Sequence, residues 1–352
     1  MQIKEIIYKN LSRLMPKIDI SSSAIGLDIG SFSVKVVRVE GGNTPIVSAL
    51  SMEEIKNGNI QYAVKAALTK AGIEERKVNI GISGKQTVIR CVVVPEMQDY
   101  DFKNSLKYEA AKYIPFVASE VILGSVVLKH NIEVNKMMVL IAAAKKDFIE
   151  QRLKLISDLG LEPCVLDIDS LALINIFNLS NLKIKSAATQ PEPTAEILAL
   201  LNIGSHLSNL VFLENGFFRF SRDIVFGGDI ITQKIGAMLG IDFAKAEEIK
   251  LSHHAPQEVQ GVIETSLLDL VNELRLSFDY YESQTGKTAG RVYLSGGGAC
   301  LSGIDRFLNK SMNIPFETWN SFVSFKLDSK LEQNFSQINA PYFAVALGLS
   351  LR

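Results

Sequence analysis

The fold is decided by a segment that occurs twice. Residues 27–42 read LDIGSFSVKVVRVEGG, and residues 201–216 read LNIGSHLSNLVFLENG. The two segments align without a gap at an offset of 174 residues (201 minus 27), and seven of sixteen positions are identical. Each copy has the pattern of a strand, a tight Gly-Ser turn and a second strand. The repeat predicts two lobes that are built alike, and the alternative is two unrelated hairpins that share their turn chemistry.

Size and composition agree with two globular lobes. The chain has 352 residues, of which 47% are hydrophobic and 21% charged, and a length near 300 residues is typical of about two domains. The net charge is −1, so we expect no nucleic-acid partner. Three separated cysteines without a CxxC pair favour a reducing cytoplasm. The neighbouring His253 and His254 point apart on a regular element, so they predict no metal site.

The chain divides into three predicted parts. Residues 1–23 are an amphipathic segment and a serine joint, which would lie on a membrane surface, on a neighbouring protomer or on its own domain. Residues 24–190 form the first lobe and residues 191–352 the second, because the Ala-, Thr- and Pro-rich stretch 183–196 precedes the second hairpin and is typical of a loop. Predicted strands and helices mix throughout, which indicates an α/β class.

The first hairpin carries residue types that bind phosphate and magnesium. Gly30 allows backbone N–H groups to approach an anion, Ser31 and Ser33 add hydroxyl groups, and Lys35 adds a positive charge. Asp28 stands at a strand end, where it would hold Mg²⁺ through water. A plain β-hairpin with an aspartate in its turn is the alternative.

Two segments of the second lobe repeat or extend this chemistry. Asn202, Gly204 and Ser205 repeat the turn, with an amide in place of the carboxylate. Gly227 and Gly228 precede a predicted helix, so they would offer N–H groups to a phosphate at its N-terminus. A helix cap with turn glycines explains the second segment equally well.

Two further segments are candidates for nucleoside contacts. Gly296, Gly297 and Gly298 follow a predicted strand, and a flat ring or a phosphate can lie on such a backbone. Glu247 and Lys250 stand three residues apart on a predicted helix and offer a carboxylate and an ammonium group. A flexible loop and a solvated helix face are the respective alternatives.

In this order, the segments resemble the actin-like ATPase superfamily. The resemblance implies two ribonuclease-H-like lobes whose hairpins face each other across a cleft and clamp the phosphates of ATP with Mg²⁺. Residues 169–177 and 344–349 would be connecting helices between the lobes. The resemblance also implies an FtsA-like inserted subdomain at about 86–162 and a small subdomain of the second lobe at about 240–290.

A closer resemblance is to the PilM family of type IV pilus assembly proteins, over about residues 20–352. It is carried by IGLDIGSFSVKVV (25–37), YEAAKYIPF (108–116), RDIVFGGD (222–229), LGIDFAKAEEIK (239–250) and PYFAVALGLSLR (341–352).

This resemblance implies a cytoplasmic ATP-binding scaffold at the inner membrane. The scaffold would bind the cytoplasmic N-terminal tail of PilN and be linked to the pilus assembly ATPases and platform protein, with self-association also expected. The partner groove would lie between the first lobe and its insertion, and its candidate wall residues are Tyr113, Ile114, Pro115 and Phe116. An FtsA-like filament-forming ATPase or a type II secretion scaffold is the alternative.

One residue departs from the superfamily pattern. Asn202 stands where the second hairpin usually has an aspartate, and an amide carries no charge to order a cation or accept a proton. The departure predicts ATP binding with slow or negligible hydrolysis.

Overall fold

A computed structural model of the chain describes residues 23–42, 44–187, 197–252, 256–333 and 338–352. The predicted amphipathic segment, the His253–His254 pair and the stretch around the predicted lobe boundary at 190 lie outside these residues. Among the described residues, no helix combines the length and the apolar character needed to cross a bilayer.

The described part of the first half of the chain forms eight strands and four α-helices. In chain order they are β1 (Ala24–Ile29), β2 (Ser33–Glu40), β3 (Ile46–Glu54), α1 (Ile60–Ala71), β4 (Lys77–Ile82), β5 (Thr87–Pro95), α2 (Asp99–Ala110), β6 (Val121–Glu133), β7 (Lys136–Lys145), α3 (Lys146–Asp158), β8 (Glu162–Ile168) and α4 (Asp169–Ala187).

The described part of the second half forms six strands and six α-helices. They are β9 (Ile197–Ile203), β10 (Ser208–Glu214), β11 (Phe217–Ile224), α5 (Gly228–Leu239), α6 (Phe243–Leu251), α7 (Gln257–Thr285), β12 (Val292–Ser295), α8 (Ile304–Met312), β13 (Phe316–Thr318), β14 (Lys326–Leu327), α9 (Ser329–Glu332) and α10 (Ala344–Leu349).

The sequence repeat is a repeat of topology. The first sheet has the order β14-β3-β2-β1-β4-β8, and the second has the order β11-β10-β9-β12-β13. In both sheets the repeated hairpin is antiparallel and the following strands are parallel to its first strand. The registers also correspond, because Asp28 pairs with Lys35 and Asn202 pairs with Asn209. This duplication, with helices packed on both sheets, confirms the predicted two-lobed α/β class.

The insertion in the first lobe is a small domain with its own core. Its three-stranded sheet has the order β5-β7-β6, and α2 packs on that sheet through buried Phe102, Leu106 and Ala110. These elements span residues 87–145, a shorter range than the 86–162 expected from the sequence. Helix α3 belongs to the first lobe instead, because its buried Ile149 and Ile156 join the core of that lobe.

The C-terminal segment returns to the first lobe, although the sequence assigned all of 191–352 to the second. Strand β14 pairs with β3, and α10 packs against β1 and α4. A Cβ atom on Gly348 would lie 2.0 Å from the carbonyl oxygen of Ala172, so this close helix contact requires glycine. A buried ion pair of 2.6 Å between Arg352 and Asp167 fixes the end of the segment. The returning segment fills apolar surface that β1 and α4 expose.

Helix α4 makes the reciprocal contact with the second lobe. Its Phe177 ring lies 5.2 Å from the ring of Tyr293 and 5.6 Å from that of Trp319. The two predicted connecting helices therefore pack on each other between the sheets. The predicted small subdomain, 240–290, consists of α6 and α7, and both helices contribute to the core of the second lobe.

Candidate functional site

The predicted site residues meet in a cleft between the two hairpins. The cleft contains about 1150 Å³ of empty space, including the part that is open to solvent. Fourteen of the fifteen predicted residues line it, and Gly227 does not: the fourteen are Asp28, Gly30, Ser31, Ser33, Lys35, Asn202, Gly204, Ser205, Gly228, Glu247, Lys250, Gly296, Gly297 and Gly298. The lining residues come from both lobes, so a ligand in this cleft would contact both hairpins.

The first hairpin presents a paired charge to the cleft. The N–H of Gly30 donates to the carbonyl of Ser33 at 3.1 Å, which closes the turn. Lys35 Nζ lies 3.3 Å from Asp28 Oδ2, and both side chains are largely buried. The cross-strand register explains this pair, since Lys35 stands directly opposite Asp28. The positive charge of Lys35 is thus balanced by Asp28 before any anion binds.

Asp169, the first residue of α4, is a cleft residue that the sequence analysis missed. Part of the residue faces the cleft, whereas its Oδ1 atom is buried and has no hydrogen-bond partner. Burial, followed by the nearby charge of Asp28, raises the pKa of Asp169 to about 7, although the Ser83 hydroxyl opposes the shift by donating a hydrogen bond. A Cβ atom on Gly81 would lie 2.2 Å from Oδ1, so any larger residue at that position would displace the Asp169 carboxyl group. The signal available in the sequence was an acid at the start of a predicted connecting helix.

The glycines at 227 and 228 join the second hairpin to α5. The N–H of Gly228 donates to the carbonyl of Gly204 at 3.0 Å, and the N–H of Asp229 donates to the carbonyl of Ser205 at 2.9 Å. A Cβ atom on Gly227 would lie 2.1 Å from the Ser205 carbonyl oxygen. These donors are therefore used within the protein, which differs from the phosphate seat expected at this helix N-terminus.

Asp229 is a second cleft residue that the sequence analysis missed. Its carboxylate accepts a hydrogen bond from the Ser205 hydroxyl and lies 2.5 Å from His206 Nδ1. Asn202 lies on β9, and its Oδ1 accepts a hydrogen bond of 3.2 Å from the Ser295 hydroxyl on the neighbouring strand β12. The second hairpin thus has two neutral amides, Asn202 and Asn209, at the positions of Asp28 and Lys35. The carboxylate on this side of the cleft comes from Asp229 on α5.

A buried ion pair forms the wall beside α5 and α6. Lys250 Nζ lies 2.6 Å from Glu247 Oε2, 2.9 Å from Thr232 Oγ1 and 3.3 Å from the carbonyl oxygen of Gly228. Thr232 also donates to Glu247. The i, i+3 spacing brings the two charges together, and the contact between the helices supplies the other partners. Lys250, like Lys35, already has a carboxylate partner.

The glycine loop at 296–298 is packed against its own chain. A Cβ atom on Gly296 would lie 2.4 Å from the carbonyl oxygen of Ile203, and one on Gly298 would lie 2.2 Å from the Ile203 side chain. A Cβ atom on Gly297 would lie 2.8 Å from the Tyr342 ring. Burial raises the pKa of Tyr342 to about 12, so the phenol stays neutral. The protein's own packing therefore requires these glycines, and their backbone still lines the cleft.

The charges of the cleft fit an anion only together with a cation. Four carboxyl groups line it against two lysines, both of them paired: the acids are Asp28, Asp169, Asp229 and Glu247. A polyphosphate alone would meet net negative charge, whereas a hydrated Mg²⁺ would neutralise it. Among the described residues there is no cluster of three metal-ligating side chains. Mg²⁺ would therefore take several ligands from water and phosphate.

A second cavity lies between the insertion, the first lobe and the second lobe; we call it the insertion groove. It contains about 2150 Å³ of empty space, including the part open to solvent. Of the predicted wall residues, Pro115 and Phe116 line it, whereas Ile114 is buried in the core of the insertion with Tyr113 packed against that core. The insertion groove is lined by four basic residues and one acid, namely Lys85, Arg90, Arg219, Arg222 and Asp223.

Comparisons with known proteins agree with this geometry. The sequence model of the family described as type IV pilus assembly protein PilM matches residues 18–352. The solved structure of a PilM–PilN type IV pilus biogenesis complex is 28% identical, with a TM-score of 0.82, and the match covers 94% of this chain and 98% of that chain. The ethanolamine utilization protein EutJ from Carboxydothermus hydrogenoformans is 14% identical with a TM-score of 0.54, and the match covers 99% and 96% of the two chains.

The duplicated sheets, the two connecting helices and the cleft between facing hairpins define a protein of the actin-like fold. The family match extends over nearly the whole chain. This chain belongs to the PilM family of type IV pilus assembly proteins, so neither the FtsA-like nor the type II secretion alternative is favoured.

Proposed function

We propose that the chain binds Mg–ATP in the cleft and serves as a cytoplasmic scaffold of the pilus assembly platform. The observation that supports nucleotide binding is the meeting of fourteen predicted residues from five separate segments on one cavity. Asp28 and Asp169 would hold the hydrated Mg²⁺. The turns at Gly30 and Gly204 would receive the phosphates, and the backbone of residues 296–298 would lie against the nucleoside.

Hydrolysis is proposed to be slow. Mg²⁺ supplies charge neutralisation when it is bound, and Asp169, with a pKa of about 7, is suited to orient water or accept a proton. The second hairpin, however, offers the Asn202 amide, whose Oδ1 is already engaged by Ser295. Nucleotide would then act mainly by holding the two lobes at one angle.

The partner proposed for the insertion groove is the cytoplasmic tail of PilN. Support comes from membership of the PilM family, from the similarity to a PilM–PilN complex and from a groove that Pro115 and Phe116 line. Binding of this tail would keep the scaffold at the inner membrane through its partner. The assembly ATPases and the platform protein would then connect to the scaffold indirectly.

Calorimetric titration with ATP and Mg²⁺ tests the nucleotide half. We expect binding to the wild type and a loss of at least tenfold in affinity for Asp28→Asn, since the asparagine side chain has the shape of aspartate but lacks its negative charge. The exposed Glu150, on α3 of the same lobe, provides the control variant Glu150→Gln, which should bind normally. Absence of ATP binding to a folded wild type would refute nucleotide binding.

Titration with a peptide of the PilN tail tests the groove. Val93 lines the insertion groove and is 46% exposed, so Val93→Arg should block the peptide and leave ATP binding intact. Val134, at the far turn of the same insertion and 89% exposed, provides the control Val134→Arg. Equal loss of peptide binding in both variants would contradict the assignment of the groove.

A further inference from the structure

The cleft and the insertion groove share a wall. Ser83 and Asn209 line both cavities. Asn209 is buried on β10. It corresponds in the repeat to Lys35, because Lys35 pairs with Asp28 across the first hairpin and Asn209 pairs with Asn202 across the second. In the first lobe this position is Lys35, which pairs with Asp28 in the cleft. In the second lobe it is Asn209, which lines both the cleft and the insertion groove.

Asn209 connects the cleft to an acid of the groove. Its Nδ2 donates to Asp223 Oδ1 at 2.5 Å, and the two residues are a cross-strand pair between β10 and β11. Asp223 lines the insertion groove and also accepts a hydrogen bond from the backbone N–H of Gly84 in the first lobe. The carboxylate therefore joins the second hairpin to the first lobe.

Gly84 lies in one of the two joints that attach the insertion. It stands between β4, in the first sheet, and β5, which forms a wall of the insertion groove. Its φ of +96° favours glycine, and its carbonyl accepts the N–H of Thr87 at 2.9 Å at the start of β5. The Leu207 side chain, at the tip of the second hairpin, lies 4.0 Å from the position of a Cβ atom on Gly84. The second lobe thus bonds to this joint through Asp223 and places the Leu207 side chain beside it.

We propose that Asn209, Asp223 and Gly84 form a latch that couples the cleft to the insertion groove, so that a ligand in one cavity changes the affinity of the other. This inference rests on the proposed function. A ligand that moves the second hairpin moves Asn209, and Asp223 must follow, because leaving its partly buried carboxylate without these donors is costly. Movement of Asp223 shifts Gly84 and with it the angle at which β5 closes the groove.

A binding cycle measures the coupling directly. The affinity of a fluorescently labelled PilN-tail peptide is determined with and without saturating Mg–ATP, for the wild type, Asn209→Ala and Asp223→Ala. Coupling between sites generally changes affinity by about 5- to 150-fold, and we expect a ratio in this range for the wild type and a ratio below about twofold for both variants. Asp269→Asn is the control, because this acid of α7 pairs with Lys234 on the surface and lines neither cavity.

Hydrogen exchange of the unmodified protein gives a second readout. Addition of Mg–ATP should change the exchange rate of amides between residues 83 and 90, because the Gly84 N–H belongs to the latch. A coupling ratio that persists in both latch variants overturns the inference, as does a wild type that binds both ligands without coupling or without a change in this segment. If the wild type fails to bind ATP or the peptide, the proposed function itself is refuted, and the latch is refuted as a consequence.

Discussion

Substitution of Asp169 by asparagine should stabilise the protein at alkaline pH while it weakens nucleotide binding. Burial and the neighbouring Asp28 raise the pKa of this carboxyl group from 3.8 to about 7, and its Oδ1 has no partner. Between these two values the folded protein binds a proton that the unfolded chain has released. Stability therefore falls as the pH rises from about 4 to about 7, and the full cost is present above pH 7.

The magnitude follows from the size of the shift. A shift of about three units corresponds to about 4 kcal/mol at pH 8, of which about 2–3 kcal/mol develops between pH 5 and pH 8. Water in the cleft reaches part of Asp169, so these figures are upper values. Asp169→Asn removes the titration, and its stability relative to the wild type should therefore increase by up to this amount between pH 5 and pH 8.

Urea denaturation followed by the fluorescence of Trp319, the single tryptophan of the chain, measures both proteins at the two pH values. Trp319 is buried against Phe177 at the contact between the lobes, so unfolding should change its emission. Titrations of groups distant from Asp169 cancel in the difference between the two proteins. Glu150→Gln, which alters an exposed carboxylate of the same lobe, should show no such difference. Parallel stability profiles for the wild type and Asp169→Asn would refute a raised pKa at this position.

The remaining predictions concern packing, a buried ion pair and turnover. Gly348→Ala should lower the free energy of unfolding by about 3 kcal/mol or more, since its Cβ atom would overlap a backbone oxygen. Gly261→Ala on α7 has no atom within 4 Å of its Cβ position and should raise the free energy of unfolding by about 1 kcal/mol. Urea denaturation measures both changes. Arg352→Met should cost about 3–5 kcal/mol by leaving Asp167 unpaired, and thermal unfolding should show recovery when Asp167→Leu is added. Asn202→Asp should raise phosphate release from Mg–ATP at least several-fold above the wild type, and an unchanged rate would show that this amide does not limit hydrolysis.

Local patterns in the sequence were sufficient for the hairpins and for most cleft residues. A strand, a Gly-Ser turn and a second strand are specified within sixteen residues, because alternating side chains and turn glycines act on their immediate neighbours. The repeat at an offset of 174 residues then implied two lobes. The resemblance to the actin-like superfamily, which implies that equivalent hairpins face one cleft, then assigned Asp28, Gly30 and Gly204 to that cleft. The bounds of α7 and the length of α4 could not, because helix ends depend on packing.

Only the tertiary structure decided how the cleft is charged and how the lobes are joined. Asp169 and Asp229 each stand in the first turn of a helix, a pattern too common to mark a site, and they become site residues because the fold places them beside Asp28 and His206. The raised pKa of Asp169 exists only where burial removes water from its carboxyl group. In the same way, the glycines at 227 and 296–298 could be read from the sequence as ligand contacts, whereas their close neighbours are parts of the chain itself. The return of β14 and α10 to the first lobe depends on apolar surface that no stretch of sequence displays by itself, because burial is a property of the assembled fold.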